Sequence, residues 1–211
     1  RDSEDFVNLQ AAIDEANNGD TIKFIADKNI SYSVTIPNNK SLTFDMNGHT
    51  LVMTKTITVN GSLNVVDLGS GAVKGSIRNN NGTVFNNTGT LSIENVTVKG
   101  SNGVNNSGVL NVTNNVIGAS NQAIINSGKF TIEDANINGS NYAIYDSSIN
   151  ESTISDSVIT SGAAAVYVYN TGKVTVNDCT MTGYLYNNNS NGKLNINGGT
   201  HKGYLVNKGI S

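Results

Sequence analysis

The sequence is poor in several residue types that mark particular classes of protein: it has one cysteine, one proline and no tryptophan. The single cysteine, Cys179, excludes an internal disulfide framework, so cysteine usage does not reveal the redox compartment. No apolar run approaches the roughly 18 residues of a membrane-spanning helix, and we expect no membrane span in this chain. The opening residues, RDSEDF, lack the basic end and the apolar stretch of a signal peptide, so a secretion signal would have to lie outside this sequence.

Charge is also scarce. Charged side chains make up 14% of the 211 residues, and 13 basic against 16 acidic residues give a net charge of -3. The chain has no basic run and no patch that interleaves basic and aromatic residues, which together are typical of nucleic-acid-binding surfaces. We therefore expect no nucleic acid among its partners.

The abundant residues are asparagine, with 36 copies, and glycine, with 22. Polar, low-complexity sequences of this kind often stay disordered because they bury too little apolar surface. In this chain, however, single aliphatic residues recur at even spacing. That pattern favours a folded β-structure.

The first twenty residues differ from the rest of the chain. Apolar side chains fall near one face of a helix at Phe6, Leu9, Ile13 and Ala16. The following NNGD is a stop signal, so the pattern predicts one amphipathic helix over residues 4–17. Strand signals fill the remainder, and we interpret residues 1–20 as a capping helix on a β-domain over residues 21–211.

A short motif recurs through the β-domain: NNTGTLSIENVTVKG, then NNSGVLNVTNNVIG, then INSGKFTIEDANING. The copies align on a marker position occupied by Gly61, Gly89, Gly108, Gly128, Asn150, Gly172 and Gly192. After a first interval of 28 residues, the markers are 19 to 22 residues apart. This spacing is typical of one coil of a parallel β-helix.

Four apolar columns accompany the marker, and we expect their side chains to point inward. The first column lies two residues after the marker and comprises Leu63, Leu91, Leu110, Phe130, Ser152, Val174 and Leu194. The second column lies four residues after the marker and comprises Val65, Ile93, Val112, Ile132, Ile154, Val176 and Ile196. The third column precedes the marker and comprises Val84, Val104, Ile124, Ile144, Val168, Leu185 and Leu205. The fourth column lies nine residues after the marker and comprises Val98, Ile117, Ile137, Ile159, Met181 and His201. Stacked coils bury such columns as ladders spaced about 4.8 Å apart, which predicts three strands per coil and about nine coils.

A polar column lies six residues after the marker and comprises Asp67, Asn95, Asn114, Asp134, Asp156, Asp178 and Gly198. Because Asn and Asp tolerate left-handed backbone conformations, we interpret it as a sharp turn between strands. The alternative is that Asp134, Asp156 and Asp178, with Glu133 beside them, bind a hard cation such as calcium or act as an acid–base pair. We expect no metal and no cofactor, and these three aspartates are the candidates should a metal bind.

The repeat G-x-L-x-I-x-N-x-x-I-x-G, preceded by LQAAIDEANNGDTIKF and LTFDMNGHTL, resembles the pectin-lyase-like superfamily. Members of that superfamily commonly open with a capping helix and a Gly-Asp-Thr-Ile turn. The resemblance implies an all-β fold, a right-handed parallel β-helix with an N-terminal capping α-helix. It leaves activity open, because such folds carry lyases, hydrolases, tailspikes and non-catalytic adhesin-like domains. The asparagine-rich, charge-poor repeats are most similar to bacterial adhesin-like surface proteins, which implies an extracellular or cell-surface location.

Residues that enzymes of this superfamily use are sparse here. The arginines are Arg1 and Arg78, whereas related lyases place Arg or Lys beside acids that bind calcium. The segments Gly-His-Gly and Arg-Ile-Lys of related hydrolases do not occur. We interpret His49, His201 and Cys179 as structural. We expect a protein that is not an enzyme, and the alternative is a polysaccharide lyase or glycoside hydrolase with an unfamiliar or degenerate site.

Tyrosines supply the functional signal. Residues on either side of the inward third column should point outward because strand side chains alternate. The residues before it form one outward column, Ala143, Tyr167, Tyr184 and Tyr204. The residues after it form a second outward column, Tyr145, Tyr169, Tyr186 and Val206. Exposed aromatic ladders suit stacking on sugar rings or the dry centre of a protein contact. The alternative is a wall of rings that shield one another. The sequence thus predicts a non-catalytic adhesin-like module that binds a glycan or a host or cell-surface protein through these tyrosines, or that serves as a spacer.

Overall fold

The computed structural model describes residues 8–208, and 61% of these described residues lie in strands. Strands from successive coils pair in parallel, and about nine coils stack into a β-solenoid that begins with one short helix. The predicted all-β fold with an N-terminal helix is confirmed. The two-part division at residue 20 stays a prediction.

The helix α1 spans Leu9–Glu15. The strands, in chain order, are β1 Thr21–Lys23, β2 Lys28–Ile30, β3 Val34–Ile36, β4 Ser41–Asp45, β5 Thr50–Met53, β6 Ile57–Val59, β7 Ser62–Val66, β8 Ser76–Asn87, β9 Thr90–Glu94, β10 Thr97–Asn106, β11 Val109–Thr113, β12 Val116–Asn126, β13 Lys129–Glu133, β14 Asn136–Gly139, β15 Tyr142–Asp146, β16 Glu151–Ser155, β17 Val158–Val168, β18 Lys173–Asn177, β19 Thr180–Asn187, β20 Lys193–Asn197, β21 Thr200–Lys202 and β22 Leu205–Asn207.

Each coil has three sides. The first side is a nine-stranded sheet in the order β1-β4-β7-β9-β11-β13-β16-β18-β20. The other two sides form one bent sheet, in which long strands such as β10 and β12 continue across the corner. Their register shifts between Gly100 and Asn102, which marks the bend as a bulge. In the coil that contains β14 and β15, the same path is split into two separate strands.

The helix ends at Glu15, so the predicted end at residue 17 is wrong, and residues 4–7 of the predicted helix lie outside the described residues. Asn8 caps its N-terminus, with its side chain accepting a hydrogen bond from Ala11, and Ala16 is already extended. Leu9, Ala12 and Ile13 are buried, and Gln10 exchanges two hydrogen bonds with the backbone of Thr35 in β3. Phe6, which the sequence placed on the same face, lies outside the described residues.

The first, second and fourth apolar columns are confirmed as inward ladders, for example Val98, Ile117, Ile137, Ile159 and Met181 in register. The third column is wrong at two positions. Val104 pairs with Phe85 rather than with Val84, and Ile144 pairs with Val166 rather than with Val168. Phe85 lies four residues before its marker, as Val104 does, so spacing could have set this position. Ile144 and Val166 lie six residues before theirs, so spacing alone could not set the register there.

The marker glycines are explained by close approach of neighbouring coils. A Cβ atom at Gly89 would lie 2.0 Å from the carbonyl oxygen of Gly61, and one at Gly108 would lie 2.0 Å from that of Gly89. No side chain fits there without moving backbone. In the coil that carries Asn150 at this position, the Ser148 hydroxyl accepts a hydrogen bond from the Asn150 amide at 2.9 Å.

The polar turn column is left-handed backbone. Values of φ are 46° to 59° at Asn95, Asn114, Asp134, Asp156 and Asp178, and 74° at Gly198. Asp67, which the sequence placed in this column, is the exception and is not in a positive-φ conformation. Its buried carboxylate instead accepts hydrogen bonds from the amides of Gly48, Gly69 and Gly75, which fastens the longer connection between β7 and β8.

Candidate binding face

A cluster of tyrosines covers one side of the last four coils. We call it the tyrosine face, and it comprises Tyr142, Tyr145, Tyr167, Tyr169, Tyr184, Tyr186 and Tyr204. Its central column is set by strand register: Tyr145 pairs with Tyr167, Tyr167 with Tyr186, and Tyr186 with Val206.

This register corrects the two outward columns read from the sequence. Tyr167 was grouped with Tyr184, and Tyr145 with Tyr169. Both groupings came from placing Val168 in the third column. With Val166 there instead, Tyr167 moves into the column of Tyr145 and Tyr186.

The rings of the central column stack on one another. Ring centroids lie 5.4 Å apart between Tyr145 and Tyr167, with planes inclined by 9°, and 5.0 Å apart between Tyr167 and Tyr186, inclined by 4°. Parallel rings this close cannot lie side by side in one plane, because they would overlap, so they lie face against face. The central column therefore presents ring edges rather than ring faces to its surroundings.

Tyr142 was missed by the sequence reasoning. Its ring contacts Tyr145 edge-on at 5.6 Å and Tyr167 at 5.4 Å. It precedes Ala143 at the corner where β14 gives way to β15, so the simple alternation of strand side chains did not reach it. The run YAIY, with two tyrosines three residues apart, was the available signal.

Two flanks border the central column. Tyr184 and Tyr204, on one flank, contact each other at 5.5 Å and are 46% and 73% exposed. Tyr169, on the other flank, is 52% exposed and contacts Tyr145 at 6.1 Å. The rings of the central column are half-buried.

The hydroxyls of the tyrosine face make no hydrogen bond to the part of the chain that the structure describes. Within residues 8–208, Tyr32 is the one tyrosine whose hydroxyl is hydrogen-bonded to the chain, and it accepts from the Leu9 amide at 2.9 Å. Burial, and then the neighbouring tyrosines, raise the pKa of Tyr145 and of Tyr167 above the usual value. The hydroxyl groups of Tyr145 and Tyr167 consequently stay neutral across the physiological pH range.

One charged side chain contacts a ring of the face among the described residues. The Lys208 Nζ lies 5.8 Å from the centroid of Tyr186 and donates a hydrogen bond to the Asn188 side chain at 2.9 Å. A cation over an aromatic face is attracted by the ring quadrupole. The C-terminal end of the central column is therefore weakly basic.

An internal ladder of amides runs through the coils that precede the tyrosine face and ends in its first coil. Asn87 donates to Asn106 at 2.7 Å, Asn106 to Asn126 at 2.6 Å, and Asn126 to Asp146 at 2.6 Å, all within the buried interior. Burial raises the pKa of Asp146, and its Oδ2 has no hydrogen-bond partner within residues 8–208. The next residue in this register is Val168, so the ladder ends there.

The aspartates proposed as metal or acid–base candidates lie elsewhere. Asp134 and Asp156 line a shallow groove of about 290 Å³ together with Lys74, whereas Asp178 does not line it. Buried Asn115 also borders this groove. In the part of the chain that the structure describes, no three His, Cys, Asp or Glu side chains are grouped to hold a metal ion.

The remaining candidates occupy structural positions. Cys179 is fully buried, and burial raises the pKa of its thiol. His201 ends the fourth inward column with Nε2 2.8 Å from the Gly183 carbonyl oxygen. The Nδ1 of His49 lies 3.5 Å from the Asp27 carboxylate near the surface.

No family model matches the chain, and no curated protein or solved structure matches it significantly. The parallel solenoid agrees with the fold that the resemblance implied, while membership of the pectin-lyase-like superfamily stays a prediction. Across residues 8–208, no helix is both long enough and apolar enough to cross a membrane.

Proposed function

We propose that this chain is a non-catalytic, adhesin-like binding module that holds its partner through the tyrosine face. The observation that carries the proposal is a group of seven tyrosines on a rigid wall whose hydroxyls bond to nothing else within the described residues. Tyrosine provides a large contact area at small cost in side-chain entropy, and it is enriched at the energetic centres of binding surfaces.

The position of the tyrosine face on the solenoid supports the same proposal. The wall behind the tyrosine face is fixed by main-chain pairing between coils. Binding to such a surface requires little ordering of the protein, which favours affinity. A partner outside the cell, and a secreted or cell-surface location, are part of this proposal and rest on the resemblance to adhesin-like proteins.

A second candidate function is a carbohydrate-active enzyme, and the groove lined by Lys74, Asp134 and Asp156 favours it. A basic side chain beside carboxylates is the combination that removal of a proton next to a uronate carboxylate requires. Against it, both aspartates adopt the turn conformation that Asn95 and Asn114 adopt in earlier coils. Their geometry is therefore accounted for by the fold.

The test compares the parent chain with Tyr169→Ser/Tyr186→Ser on an array of neutral and acidic oligosaccharides and on a displayed peptide library. We expect saturable binding that the double variant loses by about tenfold or more, with an unchanged thermal midpoint. The matched control, Asn86→Ser/Asn105→Ser, changes the same wall in earlier coils and should bind like the parent. Binding that both variants retain in full would contradict the proposal.

The carbohydrate-active enzyme is tested with the parent chain, the tyrosine double variant and two groove variants. Release of unsaturated or reducing ends from polyuronates by the parent, lost in Lys74→Ala and Asp134→Asn but kept in Tyr169→Ser/Tyr186→Ser, would replace the binding module by an enzyme. No turnover in the parent would remove this candidate.

A further inference from the structure

We propose that the groove lined by Lys74, Asp134 and Asp156 binds a small zwitterion, whose ammonium and carboxylate groups are held apart by an alkyl chain. The groove shares no residue with the tyrosine face, and the inference does not depend on the proposed function. It follows from unpaired charges of both signs in one groove, from a buried amide without a partner, and from apolar side chains that border both.

The groove follows the corner between the first side of the solenoid and the bent sheet. Three neighbouring columns line it: the turn column with Asp134 and Asp156, the inward column with Asn115, and the outward column with Val116 and Val158. Because paired strands lie about 4.8 Å apart, each column is a row of side chains at that spacing. A ligand in the groove therefore lies along the solenoid axis.

The fold does not require carboxylates at Asp134 and Asp156. Asn95 and Asn114 adopt the same left-handed conformation in the preceding coils, so asparagine serves this turn equally well. The two aspartates occupy successive coils, about 5 Å apart, where like charges repel. In the part of the chain that the structure describes, neither carboxylate forms a salt bridge. An ammonium group between them would pair with both.

Lys74 supplies positive charge at the other end of the groove. It lies two residues before Ser76, which pairs with Thr97, and the coil of Asp134 follows two coils after that of Thr97. The backbones of Lys74 and Asp134 are thus about 14 Å apart, a gap that the flexible lysine stem shortens. Among residues 8–208, Lys74 forms no salt bridge, although it lines the groove together with both aspartates.

This separation of charge selects among ligands. An α-amino acid carries both charges on one carbon and cannot reach both ends, whereas an alkyl chain between the charges can. Val116 and Val158 are 42% and 43% exposed, so they offer apolar surface to that chain. Calcium fits less well, because it takes about six to eight oxygen ligands and the described residues hold no cluster of three metal-binding side chains.

Asn115 is a second, independent indication of a ligand. It is 4% exposed and borders the groove, and its Nδ2 and Oδ1 have no hydrogen-bond partner within the described residues. Such a group is costly, and Val96 and Ala135 show that the same column accepts apolar side chains. Further along the column, the Ser157 hydroxyl donates to the Ser155 carbonyl oxygen and accepts from the Ala135 amide. A ligand in the groove gives the Asn115 amide a partner once its side chain turns outward.

The experiment titrates the full chain with 6-aminohexanoate and measures binding by calorimetry. Hexylamine and hexanoate carry one of the two charges each, and free alanine carries both on one carbon. We expect 6-aminohexanoate to bind about tenfold or more tightly than each of these three controls. Absence of binding, or equal binding of any control, would overturn the inference.

The turn column supplies a matched pair of variants. Asp134→Asn/Asp156→Asn should weaken binding of 6-aminohexanoate about tenfold or more, with an unchanged thermal midpoint, because both carboxylates are lost and the turn is kept. Asp178→Asn alters the same column outside the groove and should bind like the parent. Lys74→Ala should abolish the preference for 6-aminohexanoate over hexylamine. An equal loss in Asp178→Asn and in the double variant would contradict the site.

Asn115→Ala separates a binding role from a structural one. It should weaken binding of 6-aminohexanoate while raising the thermal midpoint, because an unpaired buried amide is removed. A lower midpoint with unchanged affinity would mean that the amide serves the fold and would overturn the site. Tyr169→Ser/Tyr186→Ser should bind 6-aminohexanoate like the parent, so failure of this inference is distinguishable from failure of the proposed function.

The source of the zwitterion is distinguished with a peptide that ends in lysine and with the C-terminal amide of the same peptide. The lysine side chain and the terminal carboxylate reproduce the two charges of 6-aminohexanoate. Binding of the acid but not of the amide would assign the ligand to the end of a polypeptide. Binding of 6-aminohexanoate alone would assign it to a free small molecule. Equal binding of the acid and the amide would contradict the role of Lys74.

Discussion

The same outward column is occupied by amides in the middle of the solenoid and by tyrosines near its C-terminal end. Asn86 pairs with Asn105, Asn105 with Ile125, Ile125 with Tyr145, and the tyrosines follow in register. Both halves have parallel pairing, inward aliphatic ladders and polar turns of the same conformation. The wall forms with either residue type, so the tyrosines are not a requirement of the fold.

The largest effect should come from the apolar ladders that both halves share. Ile132→Asp places a carboxylate at a fully buried position and should lower the free energy of unfolding by roughly 4 kcal/mol or more. Thr131→Asp, at the exposed neighbouring position, is the control and should change it by less than about 1 kcal/mol. Chemical denaturation of both variants checks this. Equal stability would mean that the two faces of β13 have been exchanged.

A smaller loss of stability is expected from the buried amide ladder in the middle of the solenoid, which the tyrosine-bearing coils lack. Asn106→Ala removes the link between Asn87 and Asn126 and should cost about 1 to 3 kcal/mol, since buried polar atoms lose their partner. Asn105→Ala, one residue away and exposed, should be nearly neutral. If the two changes cost the same, the inward ladder does not stabilise this half.

The junction between the halves should respond to pH. Burial raises the pKa of Asp146 above its ordinary value of 3.8, so the folded state binds this proton more tightly than the unfolded state does. The contribution of the protonated Asp146 side chain to the free energy of unfolding is complete below pH 3.8 and is lost as the pH rises through the raised pKa of the folded state. Urea denaturation at a series of pH values should show this loss in the parent and its absence in Asp146→Asn. Identical pH profiles would contradict it.

The smallest effect is expected at the turns. Asp134→Asn, Asp156→Asn and Asp178→Asn combined should leave the thermal midpoint nearly unchanged, because asparagine already adopts this conformation at residues 95 and 114. Added calcium should not raise the midpoint of the parent. Calcium-dependent stabilisation that the triple variant lacks would restore the metal site.

Features that repeat in every coil could be predicted from the sequence. Glycine at the marker, aliphatic residues at fixed offsets and turn-forming Asn or Asp each reflect one local requirement that recurs, so register followed from counting. Counting failed where a coil departs from the repeat. Val168 was misplaced because the connection before the marker lengthens from four to six residues in the coils of Ile144 and Val166. Phe85 keeps the four-residue distance, so choosing Val84 instead was an error that counting could have avoided. Asp67 was misassigned because it anchors an inserted loop.

The functional surface was harder to predict for the same reason. Alternation along each strand identified the tyrosines as outward-facing. Their grouping into columns depends on the residue that each tyrosine pairs with in the next coil, and that register is set by strand pairing along the whole solenoid. Tyr142 sits at a corner, where alternation gives no guidance. Whether the rings present faces or edges is decided by contacts between coils, which the sequence of one coil does not contain.

The coil that holds Val168 gives the solenoid a weak point under tension. Ser152 replaces an aliphatic residue in its first ladder, and Val168 interrupts the run of amides between Asp146 and Asn187. Beyond it, Asn187 bonds to Asn207 at 2.8 Å and joins the last two coils to each other. A force applied to the C-terminal end should therefore detach these two coils together. The tyrosine face, which extends across this junction, would then separate before the rest of the solenoid unwinds.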